Sequence, residues 1–142
     1  MTIVLDASMA LAWHLERTNE LEAGLARQAL KSVTLYGALV PALWYPEVAN
    51  GLLMAERRQA TNEDKIAEFL IDLAQLSISI VPASSVAALS RVLALGQSSR
   101  LTAFDASYLE LVQQTGAELA TFDRQLAEAA RAAGARVFGD PV

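Results

Sequence analysis

The run Thr2-Ile3-Val4-Leu5-Asp6-Ala7-Ser8 contains three consecutive large apolar residues, two of them β-branched. Such a run predicts a short strand buried on both faces, as the central strand of a parallel sheet is. It ends on Asp6. Ligands of open parallel sheets bind outside the carboxyl ends of the strands, so this carboxylate falls where such folds do their chemistry.

Outward from this strand, short apolar runs alternate with helical patterns. Residues 8–15 are apolar nearly all round and predict a short, well-packed helix. Asn19 and Glu22 are spaced as a capping box for a helix to about Lys31. A strand at residues 38–41 leads to a helix with Pro46 at its first position and Glu47 at its positive end, running to about Arg58. In residues 61–76, Thr61 and Asp64 form a capping-box pattern, and Ile66, Phe69, Leu70 and Leu73 make an apolar stripe. Residues 77–81 alternate as a strand stopped by Pro82, and Ser84 or Ser85 caps a helix that ends near Gly96. Then come a helix at 102–115 stopped by Gly116, a strand at 118–121, a helix at 123–133 stopped by Gly134, and a last strand at 136–138. This alternation predicts an α/β protein, a three-layer α/β/α sandwich around a parallel sheet.

With 142 residues, 54% of them hydrophobic and 19% charged, a single domain with one core is expected over 1–142. No cysteine is present, which excludes disulfides, thiolate catalysis and cysteine-based zinc sites. The two long charge-free stretches, 32–46 and 73–90, carry proline and do not read as membrane spans. The first residues lack the basic and longer apolar regions of a signal peptide, and a soluble cytoplasmic protein is expected. Sixteen acidic against eleven basic residues give a formal charge of −5, so the overall field repels nucleic acid. A nucleic-acid role would need local cations or a bound metal.

Four carboxylates stand out by position. Asp6 ends the first strand, Glu47 lies in the first turn of the helix after the second, Asp105 in the first turn of the helix before the fourth, and Asp123 just after that strand. Each has a structural explanation on its own: Asp6 and Asp123 as helix caps, Glu47 as a dipole match, Asp105 as the acid of a capping box with Thr102. Together they point to one edge of a parallel sheet, where uncompensated charges would repel one another and resist ionisation. A divalent cation relieves that repulsion, and an all-oxygen set suits Mg²⁺ or Mn²⁺. Ser8, Asn50 and Thr121 lie close enough in the pattern to orient these acids or a metal-bound water.

Four stretches in this order match a known family: Ile3-Val4-Leu5-Asp6-Ala7-Ser8, Pro46-Glu47-Val48-Ala49-Asn50, residues 101–111 (Leu-Thr-Ala-Phe-Asp-Ala-Ser-Tyr-Leu-Glu-Leu), and Leu119-Ala120-Thr121-Phe122-Asp123. Over essentially its whole length the chain resembles the PIN-domain ribonucleases, specifically the VapC-type toxins of toxin-antitoxin pairs. The resemblance implies that Asp6, Glu47, Asp105 and Asp123 form an acidic catalytic and metal-binding quartet, with Asp123 supporting the first metal or a second. It implies a sheet in the order 3-2-1-4-5, Mg²⁺- or Mn²⁺-dependent cleavage of RNA, a homodimer, and a cognate antitoxin laid across the toxin.

Arg57, Arg58, Arg100 and Arg124 are the arginines nearest the motifs and are candidates for RNA phosphates, although basic residues also suit helix ends. His14 in its apolar helix reads as a core or partly buried neutral imidazole. Trp13, Trp44, Met54 and the stripe of residues 61–76 are read as core, with partner contact as the alternative. A haloacid-dehalogenase site needs a second acid where Ser8 stands, and a receiver domain needs an adjacent acid pair. The remaining alternatives are a nuclease acting on another nucleic acid and a non-catalytic interaction module on the same fold.

Overall fold

The computed structural model describes residues 1–141. Its elements run β1 (Ile3–Leu5), α1 (Ala7–Leu11), α2 (Glu20–Tyr36), β2 (Ala38–Val40), α3 (Trp44–Arg57), α4 (Glu63–Ala74), β3 (Ile78–Ile80), α5 (Val86–Ser99), α6 (Ala103–Thr115), β4 (Glu118–Ala120) and α7 (Arg124–Ala132). The strands form one parallel sheet in the order β3-β2-β1-β4, with Ile3 paired to Ala38 on one side and to Glu118 on the other. Successive strand residues face opposite sides of a sheet, and Ile3, Val4 and Leu5 are all fully buried, so helices cover both faces at β1. This is the expected α/β/α sandwich with β1 at its centre.

The fifth strand is reduced to a single parallel bridge between Leu119 and Val137. Two backbone bonds hold it, from Leu119 N–H to the Arg136 carbonyl and from Phe138 N–H to the Leu119 carbonyl. The position in the order is as expected, and the pairing is too short to count as a strand.

Several element ends differ from the sequence expectation for identifiable reasons. The first helix is α1, of five residues, and single turns carry the chain on to Leu15. Helix α2 continues past Lys31 to Tyr36 and stops at Gly37, whose φ of 77° only glycine adopts easily. Helix α3 begins at Trp44, placing Pro46 third rather than first, which still wastes no helical hydrogen bond. The cap of α4 is Asn62, which accepts from Lys65 N–H, while Thr61 is drawn inward to bond His14. Ser85 is the cap of α5, and the helix passes Gly96 to end where Arg100 turns left-handed at φ 54°.

Helix α1 packs on α2 and α3, and α6 packs on α5 and α7. The carboxyl end of β1 thus meets the first turns of α3 and α6 and the start of α7. Because the Asn62 side chain satisfies an otherwise open N–H of α4, Asn62→Ala is expected to lower stability by about 1 kcal/mol in chemical denaturation. An unchanged midpoint would return the cap to Thr61.

Candidate active site

Asp6 follows β1 with extended backbone at the N-cap position of α1, where its side chain makes no capping hydrogen bond. Its buried carboxylate instead accepts two hydroxyls at one oxygen: Ser8 Oγ and Thr121 Oγ1 each donate to Oδ2 at 2.6 Å. A hydroxyl has one proton, so both are then committed and each oxygen is left to accept. Phe122 N–H donates to Ser8 Oγ at 3.0 Å and Asp123 N–H to Thr121 Oγ1 at 2.9 Å. Asp6 N–H also donates to the Ala120 carbonyl at 3.0 Å. The turn after β4 is thereby tied to the end of β1.

That turn carries Asp123, whose Oδ1 caps α7 by accepting Leu126 N–H at 3.0 Å. Asp105 stands at the first turn of α6. Its N–H reaches Thr102 Oγ1 at 3.2 Å, but its carboxylate returns no bond, so the capping box is only half made and the acid is left toward the cluster. Glu47, in the first turn of α3, accepts the Tyr108 hydroxyl at Oε1 over 2.5 Å.

The four acids lie close enough for their charges to act on one another. Burial pushes the Asp6 carboxyl above its ordinary range, and the charge of Asp123 adds to this, against the pull of the Ser8 and Thr121 hydroxyls. Glu47 is also raised, first by burial and then by Asp6 and Asp105, with the Tyr108 bond opposing. Asp105 is raised by burial, then by Asp123 and Asp6. Only Arg91–Glu110, Arg131–Asp140 and Arg17–Glu22 form ion pairs among the described residues, and none involves these acids.

A hard divalent cation fits this donor set: the ligands are all oxygen, their charges are uncompensated, and Asp6 is fixed by outer hydroxyls. No three histidine, cysteine or acidic side chains among the described residues close around one point as a ready cage. Mg²⁺ does not require one, because it keeps several waters and takes one or two carboxylates plus phosphate oxygens.

The other expected residues separate. Ser8 and Thr121 are in the network; Asn50, one turn beyond Glu47, is exposed and takes no part in it. Arg57 and Arg58 lie at the far end of α3, about 15 Å along the axis from Glu47, so the structure does not bring them to the site. Arg100 ends α5 with its carbonyl accepting Gln125 Nε2, which places it beside Arg124 at the start of α7. His14 bonds Thr61 Oγ1 at 2.7 Å and stacks on Phe69, with burial and then the charge of Lys65 lowering its pKa. It is a packing imidazole, as expected.

Two residues escaped the sequence reading. Arg17 holds its guanidinium 4.2 Å over the ring of Phe122, in the turn between Thr121 and Asp123. Nothing in the sequence links it to a residue so distant. Tyr108 had a local signal, since it lies three residues after Asp105 and so on nearly the same helix face.

Trp44 is buried, and Trp13 donates its indole N–H to the Ala26 carbonyl. The stripe of α4 is another matter: Phe69 is buried but Leu70 is 50% exposed. Between α3 and α4 lies an apolar groove of about 830 Å³, with Leu52, Leu53, Ile66, Leu70 and Leu73 in its walls.

The sequence pattern of the PIN domain matches residues 3–132. The chain belongs to the PIN-domain family. Among curated relatives, "Ribonuclease VapC3" of Pyrobaculum aerophilum is 33% identical over 130 residues, covering 90% of this chain and 94% of that protein. Among solved structures, "Crystal Structure of PAE2754 from Pyrobaculum aerophilum" superposes with a TM-score of 0.66 at 20% identity, covering 91% of this chain and 84% of that one, a likeness of fold.

The raised carboxyls have a consequence for stability. An acid whose folded pKa exceeds its unfolded value binds more protons when folded, so stability falls as pH rises from the unfolded value through the folded one. At neutral pH the metal-free cluster therefore weakens the fold. Asp105→Asn is expected to raise the melting temperature of metal-free protein at pH 7 by on the order of 2 °C, a gain that shrinks toward zero near pH 4. Thermal melts across that range check it; a lower melting temperature at pH 7 would contradict it.

Proposed function

We propose that the chain, acting as a single PIN domain, is a Mg²⁺- or Mn²⁺-dependent endoribonuclease and the toxin of a toxin-antitoxin pair. The observation that carries this reading is the meeting of Asp6, Glu47, Asp105 and Asp123 around a hydroxyl-fixed Asp6, in a PIN-domain chain related to a ribonuclease.

In this reading Asp6, Glu47 and Asp105 would hold the cation directly or through water, with Asp123 in support. When bound there, a divalent cation would supply Lewis-acid stabilisation of phosphate charge and activation of water. Ser8 and Thr121 keep Oδ2 of Asp6 occupied, which leaves Oδ1 as the oxygen that would be available to a cation. Because the chain carries −5 overall, RNA needs cations next to the acids. Arg17 on Phe122, Arg124 at the start of α7 and Arg100 beside it surround the turn after β4 and serve as phosphate contacts. Asn50, Arg57 and Arg58 fall outside this set.

The groove between α3 and α4 supports a protein partner, which we take to be the cognate antitoxin. The outer face of α5, with Val86, Leu89 and Leu93 exposed, supports a second copy of the chain. No helix among the described residues is long and apolar enough to cross a membrane, and we place the activity in the cytoplasm.

The test is cleavage of total cellular RNA by purified, partner-free protein, read by sequencing the new ends. Cleavage should require Mg²⁺ or Mn²⁺ and fall by roughly 10²–10³-fold in Asp6→Asn, since metal charge stabilisation is worth several kcal/mol. Cleavage that survives chelation or this substitution would sink the reading. Arg17→Ala and Arg124→Ala should each weaken single-stranded RNA binding and lower its salt slope by about 0.7, while Arg57→Ala should not.

A further inference from the structure

We propose that Tyr108 is a positioning residue that fixes the Glu47 carboxylate for a divalent cation. This rests on the metal reading above and assigns a part of the site that the four acids do not account for.

Glu47 differs from the other acids in how it is held. Asp6 is pinned by two hydroxyls and Asp123 by the N-terminus of α7, and both have short side chains. Glu47 has three rotatable bonds and is only half-buried, so its carboxylate is free to sample several positions unless something restrains it. Among the described residues its one side-chain partner is the Tyr108 hydroxyl, at Oε1.

Tyr108 suits this task. The side chain is 0% exposed, packed within α6 in the core, so the phenol offers a rigid donor. A phenol keeps its proton at neutral pH, so the hydroxyl donates to the Glu47 carboxylate. With Oε1 occupied, Oε2 has no hydrogen-bond partner among the described residues. Tyr108 lies three positions after Asp105, so one turn of α6 supplies one acid and orients another that comes from α3. A phenylalanine would fill the same core volume without the donor.

The experiment is calorimetric titration of Mn²⁺ into metal-free protein, comparing the parent with Tyr108→Phe, Glu47→Gln and the double variant. Tyr108→Phe should keep the circular dichroism of the parent and bind Mn²⁺ 10- to 100-fold more weakly, the usual effect of removing a ligand's outer partner. In the Glu47→Gln background the same change should add little, because the two residues act as one. Unchanged affinity in Tyr108→Phe, or full additivity, would overturn the inference and leave the metal reading standing. Absence of saturable Mn²⁺ binding in the parent would overturn both. If Tyr108→Phe does not fold, the near-UV tyrosine band decides: it should differ between parent and Glu47→Gln, and identical spectra would refute the contact.

Discussion

One oxygen, Oδ2 of Asp6, receives both hydroxyls that join the first strand to the fourth. Ser8 comes from the start of α1 and Thr121 from the end of β4, and each returns its own oxygen to a backbone N–H of the turn beyond. The strands are only three residues long, too short for the sheet ladder alone to define how their ends meet. Side-chain bonds to a charged group are stronger than neutral ones, and here they complete what the ladder leaves open. The position of Asp123, and of Phe122 with Arg17 above it, follows from that single carboxylate.

The same arrangement sets stability against function. Three of the four acids are held with raised pKa values, by burial first and by neighbouring acids besides, and no arginine or lysine among the described residues pairs with them. A domain selected for stability alone would place cations there or use neutral side chains. Uncompensated negative charge at the carboxyl end of a parallel sheet is a cost that a bound divalent cation removes. The cluster is thus intelligible as the half of a site that the protein supplies.

Most of this was legible in the sequence because it follows from position. An acid directly after a buried strand, or in the first turn of the next helix, must reach the same edge of the sheet, and Asp6, Glu47, Asp105 and Asp123 do. Ser8 and Thr121 were within reach of the same reasoning, as near neighbours of two of those acids. Asn50 shared a helix with Glu47, yet exposed position and lack of bonds remove it. Arg57 and Arg58 were misplaced because closeness to a motif in sequence says little about which end of a 14-residue helix a side chain occupies. Arg17 was invisible, since its ring partner lies on a distant element. At Thr61 two uses competed for one hydroxyl, and the buried bond to His14 won over the cap, which passed to Asn62. The last strand kept its place but lost its length to a single bridge.

Anomalous diffraction from crystals soaked in Mn²⁺ tests the central claim most directly, because it locates the ion without reference to any RNA. The account predicts a peak within ligand distance of Asp6 and of at least one of Glu47 and Asp105, absent in Asp6→Asn crystals. A peak elsewhere, or no peak at the cluster under millimolar Mn²⁺, would contradict it.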